Sequence, residues 1–145
     1  MVIIGALAAV SAPIFFGKNE FQQSGFHSEM LATVRYAQKL AVSSGCAVQV
    51  QVAGGTITLF QPAGAATCYS GPFITAVTDP SNSGNPFARS APNGVSFSSS
   101  PATFVFCPLG DTSNGNCVGN YTRVNAAITA GTQSFNVVGI TGHVR

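Results

Sequence analysis

Charge is scarce in this chain. Of its 145 residues only six are Lys or Arg and four are Asp or Glu, 7% in all, where about a quarter is usual. The net charge of +2 is too small to announce a nucleic-acid partner. Disorder is excluded as well, because 46% of the chain is hydrophobic and Phe occurs 11 times, enough to bury a core. Tryptophan is absent, and two histidines with four carboxylates leave little material for acid–base chemistry. Long apolar runs are missing too. The N-terminal stretch MVIIGALAAVSAPIFF ends short of the roughly 20 residues that a membrane-spanning helix needs. Gly, Ser, Thr, Asn and Ala fill the surface instead, which fits an exported β-rich protein or one packed against copies of itself. The length suits one domain with a real core.

The four cysteines, Cys46, Cys68, Cys107 and Cys117, show no C-x-x-C pair, and His27 and His143 lie far from them. Zinc sites show closely spaced ligand pairs, so the pattern argues against metal. Two disulfides in an oxidising compartment fit better, with four reduced thiols in a cytosolic protein as the open alternative. Several connectivities are available to four cysteines. Chain topology favours Cys46–Cys68 across a returning hairpin and Cys107–Cys117 across the base of a Gly/Asn-rich loop.

The hydrophobic period changes once along the chain. Phe26, Met30, Val34, Ala37 and Ala41 recur at three- and four-residue steps, the stripe of an amphipathic helix over 21–44, widened by Leu31 and Leu40. Gly45 is its expected left-handed stop, and Gly25 is expected to loosen its middle. From Cys46 the period is two. CAVQVQV puts Cys46, Val48, Val50 and Val52 on one face, with Ala47, Gln49 and Gln51 on the other. AGG then turns the chain into TITLF as a hairpin. Further strands are predicted over Phe73–Thr78, Val95–Ser98, Thr103–Cys107, Arg123–Thr129 and Ser134–Val138. The Pro-, Gly-, Asn- and Ser-rich stretches between them read as loops. The expected architecture is α+β: a long N-terminal helix packed on an antiparallel β-sheet head over 46–145.

Three explanations compete for the apolar start: a cleaved export signal, a buried core helix, or part of a membrane anchor. No Lys or Arg precedes the run, as a signal peptide requires. A helix of 44 residues would reach about 65 Å, too far for a core helix in a domain of this size. An anchor continuing into a globular head explains both the apolar and the amphipathic half.

At this point the residues resemble a family. VIIGALAAVSAPIFF, with Gly5 eight positions before Pro13, is similar to the second half of a type IV prepilin N-terminus. FHSEMLATVRYAQKLAVSSGCAVQVQV then resembles the GspH/FimT group of minor pilins and type II secretion pseudopilins. The four cysteines, RYAQKLA and the ending ITGHV are most similar to the MshC branch. The resemblance implies a cleavage site and a glutamate upstream of Met1, and residues 1–20 as a truncated membrane and filament-core helix. Val2, Ile3, Ile4, Leu7, Val10, Pro13, Ile14, Phe15 and Phe16 would line it. It implies a single-pass inner-membrane subunit with a periplasmic head, whose partners are other pilin or pseudopilin subunits.

Catalysis finds no support. His27 and Glu29 fall on the helix as expected solvated residues, and no G-x-S-x-G or S-x-x-K pattern occurs. GDTSNGNC lacks the order of a calcium loop and reads as a solvent loop, while Asn120 in NYT reads as an ordinary strand entry. No cofactor is implied. DNA binding is the sharper alternative, since some FimT-type relatives take up DNA through a basic C-terminus. Here only Arg89, Arg123 and Arg145 are candidates to meet phosphates, and so few cations give weak, salt-sensitive binding. A secreted β-rich binding domain is the remaining possibility.

Overall fold

The computed structural model describes residues 18–145. The apolar stretch from Val2 to Phe16, expected to form the anchor, lies outside the described residues. Among those described, no helix is long and apolar enough to cross a membrane.

Helix α1 is described over Lys18–Ser44. It runs through Gly25 without a break. Gly45, at φ 67°, ends it in the left-handed conformation that glycine tolerates best. The predicted stripe is the buried face: Met30, Val34, Ala37 and Ala41 are fully buried and Phe26 nearly so. Burial of each large member is worth about 1.5–3 kcal/mol.

The stripe faces two antiparallel sheets. The larger runs in the order β3-β2-β1-β6-β7, with β4 also paired to β2. Its strands are β1 (Val48–Ala53), β2 (Thr56–Pro62), β3 (Phe73–Ala76), β4 (Ala88–Ser90), β6 (Thr103–Phe106) and β7 (Thr112–Ser113). The smaller sheet has the order β5-β8-β9, from β5 (Phe97–Ser100), β8 (Ala126–Ala130) and β9 (Gln133–Val137). Gly54 and Gly55, both at positive φ, form the two-residue turn between β1 and β2 whose twist suits a hairpin. The register then sets Val50 opposite Leu59 and Phe104, and Val48 opposite Phe106. This row of buried side chains lies in one core with the helix stripe. Edge-on packing of Phe26 against Phe97, at 5.2 Å between ring centroids, joins the helix to the second sheet.

Several predicted details shift. Ala47, expected on the polar face of β1, precedes the strand and is buried, its N–H donating to the Cys68 carbonyl at 2.7 Å. The strands at 95–98 and 123–129 move to Phe97–Ser100 and Ala126–Ala130. Stretches predicted as loops contain β4 and β7, both too short to show a period. Asn120 precedes no strand directly; it is exposed in the bend before Arg123.

The chain end is fixed in place. Asn136 and Arg145 exchange both backbone hydrogen bonds, and Val144 is buried beside β9. The turn before it packs backbone to backbone. A Cβ at Gly139 would stand 2.7 Å from the Val124 carbonyl oxygen, and one at Gly142 would overlap the Gly110 carbonyl. Only glycine admits such an approach.

Candidate functional site

Cys46 is bonded to Cys68 and Cys107 to Cys117, with Cα atoms 4.6 and 5.5 Å apart. The first bond ties the end of α1 to the segment after β2. The second closes the loop that contains β7.

Two buried aspartates organise the long loops, and each takes one of the arginines singled out as a phosphate contact. Asp79 is 5% exposed. One of its oxygens accepts from the Ser81 N–H and hydroxyl, at 2.9 and 2.6 Å, and the other from Arg89 Nη1 at 2.5 Å. Arg89 Nε also meets Glu29 Oε1 at 3.0 Å, and its guanidinium lies 4.5 Å from the centroid of the Phe87 ring. Phe87 in turn stacks on Tyr36 of α1. The loop is thereby latched to the helix. Hydrogen bonds from Arg89 and then Ser81 hold the Asp79 carboxyl well below the usual carboxylate range, and the Asp79 partner raises the Arg89 guanidinium. Glu29, expected in free solvent, is half exposed and takes part in this latch.

The second centre lies in the stapled loop. Asp111 Oδ2 accepts from the Tyr121 hydroxyl at 2.7 Å and from Arg123 Nε at 2.8 Å. Asp111 is 3% exposed. Its Oδ1 is buried with no partner among the described residues. Burial and then the Asp111 carboxylate push the Tyr121 hydroxyl above its ordinary pKa. The neighbouring Thr112 is fully buried and donates its hydroxyl to the Val124 carbonyl, while its N–H donates to Gly139. Half of the expected solvent loop is therefore core, which overturns that prediction.

The remaining site candidates separate. Arg145 is exposed and, among the described residues, makes no ion pair. His27 is half-buried rather than solvated, its ring edge-on to Phe135 at 5.4 Å. Among the described residues no three His, Cys, Asp or Glu side chains gather as a metal site. The two histidines lie on separate elements, α1 and the C-terminal turn.

A feature missed in the sequence is where exposed apolar side chains collect. Gln38 of α1 donates to the carbonyls of Gly110 and Thr141, at 3.0 and 3.1 Å. This clamp brings Leu109 and Ile140, 86% and 74% exposed, to the end of the helix that carries the exposed Val42. Three distant segments, each with an exposed apolar residue, thus meet at Gln38. Towards the other end of α1, Phe21 is 83% exposed, while Glu20, Gln23 and Ser24 lie beside Thr132 and Gln133 of the β8–β9 hairpin.

One helix laid across antiparallel sheets in this order is a type IV pilin-like fold. The crystal structure of the type IV minor pilin FimU from Pseudomonas aeruginosa is similar over 90% of both chains, at 15% identity and a TM-score of 0.51. A second crystal form of FimU matches 81% of this chain and 86% of its own, at 13% identity and a TM-score of 0.48. No family model matches the sequence, and no curated protein does.

Proposed function

We propose that the protein is a minor pilin, a structural subunit of a type IV pilus or type II secretion filament. The pilin-like fold over 90% of the chain carries this reading. Residues 1–20 would extend α1 into an apolar stalk. Before assembly the stalk anchors the subunit in the bacterial inner membrane, head in the periplasm. In the filament it packs among the stalks of other subunits, and its apolar surface stays buried in both states. Contacts between heads then fall to the Val42, Leu109 and Ile140 surface. The GspH/FimT group is the family we assign on residues 26–52, and its MshC branch on the four cysteines, RYAQKLA and the ending ITGHV. Mass spectrometry of filaments sheared from cells is the test: the chain belongs in that fraction and leaves it when assembly is blocked. Recovery only as free periplasmic protein would overturn the proposal.

A DNA-uptake role is the second reading, favoured by one observation, the ion-pair-free Arg145 at the fixed chain end. Arg89 and Arg123 are committed to carboxylates, so binding through Arg145 would engage about one phosphate and be weak, with only a shallow salt dependence. DNA left unretarded at low ionic strength removes this reading.

A further inference from the structure

The two disulfides differ in what surrounds them. Cys107 is 1% exposed and follows Val105 and Phe106, both fully buried. Its N–H donates to the Asp111 carbonyl and its carbonyl accepts from the Gly110 N–H, each at 2.8 Å. Its partner Cys117 is half-buried, with the Ser113 hydroxyl 4.0 Å from its sulfur. Cys46 and Cys68 are both half-buried and stand outside the buried apolar cluster. Together with Gln61, Pro62 and Gly64 they line an open crevice of about 280 Å³. No Asp, Glu, Lys or Arg occurs in the sequence between Lys39 and Asp79, so the segments that form the crevice offer no charge of either sign.

Thiol–disulfide exchange places two demands on a bond. A thiolate must reach one sulfur, and the other sulfur must leave as a thiolate. Cys107–Cys117 fails both. Attack on Cys107 is closed by its burial, and attack on Cys117 would release a thiolate at Cys107, where loss of water disfavours the charge. Cys46–Cys68 meets both, since each cysteine lines the crevice and either can leave beside water. The segments it joins also keep other contacts. The Ala47 N–H donates to the Cys68 carbonyl, and the Cys117 N–H to the Tyr69 carbonyl, each at 2.7 Å. Ser70 pairs with Asn116 as an isolated β-bridge. With neither cysteine in the core, opening this bond leaves the α1 stripe on its sheets.

We propose that Cys46–Cys68 is a thiol–disulfide exchange site of the folded head, opened by an external dithiol through this crevice while Cys107–Cys117 stays closed. The first thiolate of the dithiol bonds to one cysteine sulfur as the S–S bond breaks. The other cysteine leaves as a thiolate and takes up a proton. The second thiolate of the dithiol then displaces the bound cysteine, which leaves and is protonated in turn. Two electrons have passed: the protein bond is reduced to two thiols and the dithiol is oxidised to its own disulfide. An oxidised dithiol runs the same steps backwards. Reduction unties the segment 63–72 from the end of α1, so one fold exists in two covalent states at that junction. Neither state depends on filament assembly.

The test is timed reduction of the full chain, in detergent where needed, by dithiothreitol without denaturant. Samples are alkylated with iodoacetamide and the labelled cysteines located by peptide mapping. Cys46 and Cys68 should take up label together, at least about tenfold faster than Cys107 and Cys117. Circular dichroism should stay unchanged while they do. Gly64→Phe, at a position where an added Cβ meets nothing within 4 Å, narrows the crevice. It should slow the first reduction at least about threefold and leave the second as it was. Gly64→Leu takes its place if the phenylalanine variant does not fold. Cys46→Ser with Cys68→Ser should fold to the parent's circular dichroism spectrum. Equal rates at the two bonds, the opposite order, or loss of structure during the first reduction would each overturn the proposal. So would a rate indifferent to the filled crevice, or a double serine variant that does not fold.

Discussion

Along α1 and β1 the buried residues return at regular intervals, every three to four positions and then every two. Along 79–90 and 107–123 no interval exists, and each loop is organised around one buried aspartate. The first region is held by area: interchangeable apolar side chains share a large interface, and each contributes its part. The second is held by a few directional contacts, so its stability is concentrated in single groups. Regular burial tolerates small changes of shape; a buried carboxylate does not tolerate the loss of its partners.

The largest effect belongs to the area-held region. Phe104, fully buried opposite Val50 and edge-on to Phe106 at 5.6 Å, loses both transfer energy and packing when cut back. Phe104→Ala should cost about 3–5 kcal/mol, read from urea unfolding monitored by circular dichroism. A cost below about 1 kcal/mol would mean that the two sheets do not share this core. Next comes the staple of the directional region. Cys107→Ala with Cys117→Ala opens a loop with a sequence separation of 10, for which the chain-entropy model gives about 3 kcal/mol. Unchanged stability would show the loop to be fixed by Asp111 and Arg123 without the bond.

Asp111 itself stands third. Asp111→Ala leaves the Tyr121 hydroxyl and Arg123 without their shared acceptor, and a loss of about 2 kcal/mol is expected. The same substitution at the exposed Glu20 should be silent, so equal costs would erase the contrast between the two regions. This centre also marks where sequence reasoning stopped. Val34 or Val50 could be placed on a buried face because its neighbours repeat the pattern, and the first hairpin followed from the AGG turn that punctuates it. Asp79 and Asp111 have no repeating neighbours, and their partners stand 10 and 12 residues away. The one available signal was scarcity: among so few charges, an Asp with an Arg a dozen positions later in both loops deserved pairing. β4 and β7 were missed for the same reason, since strands of three and two residues exist only where their neighbours hold them. The cluster of Val42, Leu109 and Ile140 depends on Gln38 reaching two distant carbonyls, which no local pattern encodes.

Acid should separate the regions as well. Arg89 and Ser81 lower the Asp79 carboxyl pKa in the folded protein. A lowered folded value means that its stabilising contribution is present above the ordinary carboxylate pKa, about 3.9. The contribution is lost as pH falls below that value towards the folded pKa. Asp79→Asn should therefore be less stable than the parent at neutral pH, with the gap closing below roughly pH 4. Glu20 and Asp111, away from the latch, are common to both proteins and cancel in the difference. Urea midpoints measured from neutral pH down to roughly pH 2 provide the readout, and a gap that stays constant throughout would refute this account of the latch.

The smallest effect is expected from the outer arm of the same latch. Glu29 meets Arg89 Nε at 3.0 Å, against 2.5 Å for the inner contact, and its side chain is 48% exposed against 6% for Asp79. Water and salt screen the outer pair, and ordering two long side chains offsets part of the attraction, so pairs of this kind contribute about 0.2–1 kcal/mol. Glu29→Gln preserves the shape of the side chain and can still accept a hydrogen bond from Arg89. It should cost no more than about 0.5 kcal/mol at low salt, and the cost should vanish near 1 M salt, where the screening length falls to about 3 Å. The melting temperature against salt, for parent and variant together, measures this directly. A larger, salt-independent loss would place Glu29 with Asp79 among the groups that hold the loop, and the helix would then be joined to it by charge at both ends of Arg89.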